Sequence, residues 1–140
     1  MILLDTNVIS ELMKPNPDPA VTLWVGSVST QTLYLSTITA GELWSGIFNL
    51  EDGKRKTLQA AVITELLDED FSGRVLPFDD RAARAYGEIY QARRKLNGKK
   101  KELDCQIAAI AVVHILKIAT RDVHDFEDFG LEIINPWTHL

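Results

Sequence analysis

The chain has 140 residues, of which 46% are hydrophobic and 25% are charged. This composition is typical of a globular protein with one hydrophobic core and argues against disorder. It contains no apolar run near the roughly 20 residues that span a bilayer, no signal-peptide pattern, and only one cysteine, which excludes an internal disulfide. We therefore expect a single domain, residues 1–140, in a reducing cytoplasm and not in a membrane.

The formal net charge of −5 would, taken alone, argue against a nucleic-acid partner. That argument fails if several acidic side chains surround a divalent cation, because the bound ion reverses the local field and attracts phosphate. The positions of the acidic residues therefore matter more than the net charge of the chain.

The pattern of apolar residues predicts alternating strands and helices along the chain. Ile2 to Leu4 is an apolar run that predicts a buried strand, and a helix follows it up to about residue 14. Further strands are predicted at 33–38, 74–78, 117–120 and 131–134, and further helices at about 20–28, 39–48, 54–68, 79–97 and 103–115. This alternation predicts an α/β fold with three layers (α/β/α) and a mostly parallel central sheet of about five strands.

Four acidic residues fall where these elements begin or end. Asp5 follows the first strand, Glu42 opens the helix after the second, and Asp122 follows the fourth. Because parallel strands end at a common edge, and ligands of such sheets bind there, we expect these three acids on one rim. Asp104 lies in the first turn of an apolar helix, and the helix before it can return the chain to the same rim.

A cluster of carboxylates is self-repelling, and a divalent cation would compensate it. Mg²⁺ and Mn²⁺ prefer carboxylate and water oxygens, often with phosphate oxygens completing the shell. Such an ion can turn a bound water into a nucleophile, so phosphodiester hydrolysis is the leading chemistry.

Each acid also has a purely structural explanation. Asp5 and Asp104 suit helix N-termini, whereas Glu42 and Thr39 have the Thr-x-x-Glu spacing of a capping box. Turn formation is the alternative for Asp122 and Asp125.

Taken in order, the motifs resemble those of PIN-domain ribonucleases, and more closely the VapC and FitB toxins of type II toxin–antitoxin pairs. The resemblance covers essentially the whole chain. It rests on Asp5-Thr6-Asn7, Glu42-Leu43, Asp104 before Ile107-Ala108-Ala109, Thr120-Arg121-Asp122-x-x-Asp125-Phe126, and the ending Glu132-Ile133-Ile134-Asn135-Pro136-Trp137.

The resemblance implies an endoribonuclease that depends on Mg²⁺ or Mn²⁺ and hydrolyses RNA by in-line attack of metal-activated water. Its products would carry 5′-phosphate and 3′-hydroxyl ends. The implied partners are an RNA substrate, a cognate antitoxin and a second copy of the chain in a homodimer.

The same resemblance assigns roles to residues. Asp5, Glu42, Asp104 and Asp122 would be the catalytic acids and would bind the metal, directly or through water. Thr6 would hydrogen-bond within the site, and we expect Thr6 and Asn7 to hold the turn, which leaves the carboxylate of Asp5 free for a metal. Thr120 and Asp125 would be auxiliary. Many relatives have Asn where this chain has Asp122, which adds negative charge here.

A basic segment precedes Asp104: Arg93, Arg94, Lys95, Lys99, Lys100 and Lys101. The three lysines from 99 to 101 are possible RNA contacts, and a solvated helix end is the alternative. Cys105 is expected to be a packed thiol.

Two other functions are possible for such a chain. A Mg²⁺-dependent, receiver-like phosphoacceptor also has acids at its strand ends, and a non-catalytic binding module would share the fold without the activity. The chain has no acidic pair just after the first strand, which disfavours the first. The presence of four suitably placed acids disfavours the second.

Overall fold

The structure is a computed structural model that describes residues 1–97 and 101–139. Its strands are β1 (Ile2–Leu4), β2 (Leu33–Ser36), β3 (Val75–Leu76), β4 (Lys117–Ala119) and β5 (Ile133–Ile134). Its helices are α1 (Thr6–Leu12), α2 (Pro19–Ser27), α3 (Thr37–Phe48), α4 (Lys54–Glu65), α5 (Asp80–Asn97) and α6 (Glu102–His114). No helix in these two ranges has both the length and the apolar character that crossing a membrane requires.

The five strands form one sheet in the order β3-β2-β1-β4-β5, and every pair is parallel. The predicted α/β class and parallel sheet are confirmed. From β1 the chain continues to β2 on one side, whereas β4 lies on the other, so the strand order reverses at β1. In open parallel sheets the crevice at such a reversal is the usual ligand site, and Asp5 directly follows β1.

The sheet is covered on both faces, which explains why β1 and β2 are continuous apolar runs. Successive side chains of a strand point to opposite faces. Leu4 accordingly packs with Val8, Trp24 and other residues of the first half of the chain. Leu3 packs in a second core cluster with residues of α6, including Ile107 and Ile110. These two clusters are the cores between the three predicted layers.

Helices α5 and α6 pack against each other. The chain therefore returns along α5, and α6 begins near the rim where β1 and β4 end. This arrangement brings Asp104 to the rim. It is the third residue of α6, whose first turn carries two acids, Glu102 and Asp104.

The start of α3 differs from the prediction. Strand β2 ends at Ser36, two residues before the predicted end, and the Oγ of Ser36 accepts a hydrogen bond from Thr39 N at 3.0 Å. Ser36 is therefore the N-cap, and the capping box of Thr39 with Glu42 is wrong. The β-branched residues Thr37 and Ile38 favour a strand by propensity, but the Ser36 cap places them in the first helical turn.

Candidate active site at the carboxyl edge of the sheet

Asp5 has two structural partners at the end of β1. Its Oδ1 accepts from the backbone N of Thr6 at 2.8 Å, and its Oδ2 accepts from Thr120 Oγ1 at 2.7 Å. The side chain is 5% exposed and is the N-cap of α1. The expectation that Thr6 and Asn7, and not the side chain of Asp5, hold this turn is therefore wrong. Each oxygen still retains a lone pair, so capping and metal binding are compatible.

Thr6 joins α1 to α3. Its Oγ1 donates to Glu42 Oε1 at 2.8 Å and lies 2.9 Å from the Oγ1 of Thr39, which is fully buried. A hydroxyl carries one proton, so Thr39 donates to Thr6 while Thr6 donates to Glu42. This chain fixes one oxygen of Glu42 at the rim, in the second turn of α3.

Asn7 and Thr120 connect the end of β1 to the loop after β4. Asn7 Nδ2 donates to Asp122 Oδ2 at 3.2 Å and to Thr120 Oγ1 at 3.4 Å. The Oγ1 of Thr120 also accepts from the backbone N of Asp122 at 3.0 Å. Asn7 therefore orients Asp122 across the sheet edge.

The pKa values of two carboxyl groups show that the acids share one electrostatic environment. The pKa of Asp5 is raised to about 6, chiefly by burial and further by the charges of Glu42 and Asp122, whereas its bonds from Thr120 and Thr6 oppose the rise. The pKa of Asp104 is raised to about 7, again chiefly by burial, then by Asp5 and Asp125. Carboxyl groups whose pKa is raised by burial and by neighbouring acids in this way are typical of functional sites.

Asp125 has two cationic partners. Lys101 Nζ contacts its two carboxylate oxygens at 2.8 and 2.7 Å. Arg93, from α5, donates to the backbone oxygen of Asp125 and lies 3.5 Å from its Oδ1. Arg93 is 7% exposed, so it is neither an RNA-tracking side chain nor a solvated helix end. Of the possible RNA contacts, Lys101 pairs with Asp125, whereas Lys99 and Lys100 lie outside the described residues.

The profile of the PIN domain matches residues 2–130. The chain belongs to the PIN-domain family. Its relatives include a VapC ribonuclease of Sinorhizobium fredii, 49% identical, with 98% of each chain covered. Toxin FitB of Neisseria gonorrhoeae is 41% identical over 98% of this chain and 99% of its own. A plasmid stability protein, StbB, of Pseudomonas syringae is 42% identical with the same coverage. The resemblance to the VapC and FitB branch is thereby confirmed.

Solved structures give the same result. A crystal structure of a FitA–FitB complex from Neisseria gonorrhoeae matches with a TM-score of 0.85 and 39% identity, over 99% of this chain and 100% of the other. A structure of FitAB bound to a DNA fragment matches with a TM-score of 0.91 and 38% identity, over 100% and 97%.

In this PIN domain the acids do not form a ready-made metal cage. No group of three or more His, Cys, Asp and Glu side chains within residues 1–97 and 101–139 is arranged to hold a metal ion. The available donors are nevertheless all oxygens, at a rim where Asp5 and Asp104 repel each other. This donor set fits a hard cation such as Mg²⁺, which keeps several waters and takes only one or two carboxylates directly.

The rim of the PIN domain lies between two open concavities of about 470 Å³ each. One is beside Glu42 and is formed by α3 together with Leu103 of α6. The other is beside Asp122 and includes Lys101, Arg121 and Asn135. An extended substrate can therefore approach the acids from either side.

Three polar residues were not predicted in the positions they take: Ser36 as a cap, Thr39 as the donor behind Thr6, and Arg93 as the buried partner of Asp125. The sequence predicts Thr39 only as a cap and Arg93 only as part of a basic segment. Their partners are 33 and 32 residues away in sequence, so no local spacing could reveal them. The interpretation of Cys105 as a packed thiol agrees with its complete burial.

Proposed function

We propose that this chain is a divalent-metal-dependent endoribonuclease and the toxin of a toxin–antitoxin pair. The observation that carries the proposal is the electrostatic linkage of the acids at the rim. The charge of Asp5 helps to raise the carboxyl pKa of Asp104 to about 7, and the charges of Glu42 and Asp122 help to raise that of Asp5 to about 6. Buried carboxyls whose charges raise one another's pKa at a common rim suit a cation-binding role in addition to the capping that Asp5 performs. The identity to a protein named VapC ribonuclease supports RNA as the substrate.

Asp5, Glu42, Asp104 and Asp122 are the side chains that would hold Mg²⁺ or Mn²⁺, directly or through water. When bound, such an ion acidifies a coordinated water and offsets negative charge on a phosphoryl group. The oxygen-only donor set and the repulsion among the acids support this assignment.

The remaining polar residues of the rim orient these acids. Thr120 and the backbone of Thr6 fix both oxygens of Asp5, and the hydroxyl of Thr6 fixes Glu42. Asn7 positions Asp122. Because preorganised groups need no rearrangement during the reaction, such bonds lower the barrier for the attack of water on the phosphodiester.

We also propose a cognate antitoxin and a second copy of the chain as protein partners. The similar solved structures include a FitA–FitB complex. On this chain, α3 and α4 expose the large apolar side chains of Phe48, Leu58 and Val62, at 69%, 57% and 51%. Exposed apolar surface of this kind is typical of protein interfaces.

The test is RNA cleavage by the purified protein with Mg²⁺, with EDTA, and by the Asp5→Asn variant. We expect cleavage with Mg²⁺ only, and its loss in Asp5→Asn, with the exposed Asp68→Asn as a charge-matched control that cleaves like the wild type. Cleavage that persists in Asp5→Asn would contradict the assigned site. RNA binding without cleavage by the wild type would instead favour a non-catalytic binding module.

The nucleophile is tested separately. Because water and not the 2′-hydroxyl attacks the phosphorus, a single 2′-deoxy substitution at the scissile linkage should leave the substrate cleavable, with 5′-phosphate and 3′-hydroxyl ends. Complete resistance of that substrate would exclude the mechanism.

A further inference from the structure

Arg121 and Trp137 form a stacked pair beside the proposed catalytic rim. The Cζ of Arg121 lies 5.0 Å from the centroid of the Trp137 ring. Arg121 directly precedes Asp122, and its backbone N donates to Asn7 Oδ1 at 3.4 Å. Its side chain is exposed, and no ion pair of Arg121 occurs in the part of the chain that the structure describes.

The pair is held in place from both sides. The end of β4 is joined to the end of β5 by the bond from Thr120 N to the backbone oxygen of Ile134, at 2.9 Å. The backbone N of Trp137 donates to Asn135 Oδ1, also at 2.9 Å. Trp137 is partly buried against the core. The indole therefore provides a fixed base on which the guanidinium of Arg121 rests.

Arg121 of this pair lines the concavity of about 470 Å³ beside Asp122, and Trp137 supports it from behind. Lys101 and Asp125 line the same space but neutralise each other at 2.7 Å. The charge of Arg121 is felt by the carboxyl of Glu11, but within the described residues Arg121 forms no ion pair, so its guanidinium can still donate to a phosphate. Asn135 also lines the concavity, and because its Oδ1 is used by Trp137, its amide N–H groups are available to donate. The volume lies in the range that protein pockets offer to small ligands.

We propose that this concavity binds one nucleotide of a single-stranded RNA, next to the phosphodiester at the acidic rim. Arg121 donates to the phosphate of that nucleotide, and the free face of its guanidinium stacks on the base. Stacking of RNA bases on guanidinium planes is a common mode of single-strand recognition. The inference rests on the proposed ribonuclease function and adds to it a defined side from which the substrate is held.

Electrostatics explains why such a subsite is needed here. The chain carries a net charge of −5, and its rim concentrates acids that repel a phosphate backbone. Arg121, one residue before Asp122, offsets this repulsion where the RNA approaches the acidic rim. Arg suits this role better than Lys because its plane can donate and stack at once.

The test measures RNA binding without turnover, in protein that carries Asp104→Asn and in EDTA, so that the affinity does not depend on a bound metal. The probe is a fluorescently labelled, random-sequence pool of single-stranded RNA, and its anisotropy is followed over a series of NaCl concentrations. Arg121→Gln is compared with Lys117→Gln, which removes the same charge from the start of β4, at the opposite edge of the sheet. Arg121→Lys keeps the charge but not the plane.

We expect Arg121→Gln to weaken binding about five- to fifty-fold and to lower the slope of log Kd against log salt by about 0.7, the value for one phosphate contact on a single strand. Arg121→Lys should restore the slope but only part of the affinity. Lys117→Gln should match the parent protein. In the otherwise wild-type enzyme, Arg121→Gln should raise KM by more than it lowers kcat.

The outcomes separate the two proposals. A wild-type protein that neither binds nor cleaves RNA would overturn the ribonuclease and the subsite together. A wild-type protein that cleaves RNA, with Arg121→Gln equal to Lys117→Gln in affinity, salt slope and KM, would overturn the subsite alone.

Discussion

The hydroxyl of Thr120 donates a buried hydrogen bond of 2.7 Å to Oδ2 of Asp5. The bond joins the ends of the neighbouring parallel strands β1 and β4, 115 residues apart in sequence. It also opposes the rise in the pKa of Asp5 that burial causes. Thr120 therefore helps to keep a buried carboxylate ionised at the point where the strand order of the sheet reverses.

Replacing Thr120 with Val should destabilise the metal-free protein. The substitution keeps the shape of the side chain but leaves the Oδ2 of Asp5 without its buried donor, which costs about 1–3 kcal/mol of unfolding free energy. Urea unfolding at pH 8 in EDTA measures this loss. Thr120→Ser retains the hydroxyl and should remain close to the wild type, and equal stability of the Val and Ser variants would contradict this role.

Asp104→Asn should stabilise the metal-free protein at pH 8. The pKa of Asp104 is about 7 in the folded protein, whereas the ordinary value of 3.8 applies to the unfolded chain. Between pH 4 and 7 the folded state therefore holds more protons than the unfolded state, so this residue makes stability fall as pH rises through that window. Because the Asn side chain does not titrate, the variant lacks this decrease in stability. Activity and stability are thus expected to change in opposite directions.

The measurement is urea unfolding of both proteins in EDTA at pH 8 and below pH 4. The variant should be more stable at pH 8, and the difference should close in acid, where Asp104 is protonated in both states. Asp68→Asn, an exposed substitution with the same charge change, serves as the control. A difference between Asp104→Asn and wild type that is independent of pH would refute the explanation.

Arg93→Gln should destabilise the fold strongly. Arg93 is 7% exposed, bonds to Asp125 and lies over the ring of Phe129 at 5.6 Å from its centroid. Breaking one partner of a buried pair leaves Asp125 less compensated, and we expect a loss of about 2–4 kcal/mol. The neighbouring Arg94 is exposed, and Arg94→Gln should change the unfolding free energy by less than about 0.5 kcal/mol. Similar losses in both variants would contradict the buried role of Arg93.

The class of fold and the order of its elements could be predicted because they depend on local patterns. Apolar runs such as Ile2 to Leu4 mark buried parallel strands, and the placement of acids after strands follows from the common edge. The position of Asp104 could be predicted only as a possibility, since it depends on how α5 packs against α6.

The wrong predictions have a shared cause: several side chains can take the same hydrogen-bonding role, and the tertiary structure selects among them. Ser36 and Thr39 are both good caps three residues apart, and only the sheet, which ends β2 at Ser36, decides between them. Asp5 was expected to be either a cap or a ligand, although one carboxylate can accept in several directions at once. The basic segment around Arg93 is typical of a solvated surface, and the partner that buries Arg93, Asp125, lies 32 residues further along the chain.

The central claim is that Asp5 and Asp104 belong to one cation site. Titration of Mn²⁺ into the metal-free protein at pH 8, followed by calorimetry, tests it most directly. We predict saturable binding that weakens as the pH falls through about 7, because Mn²⁺ must displace the proton of Asp104, and loss of this binding in Asp104→Asn but not in Asp68→Asn. Undiminished Mn²⁺ binding by Asp104→Asn would contradict the claim.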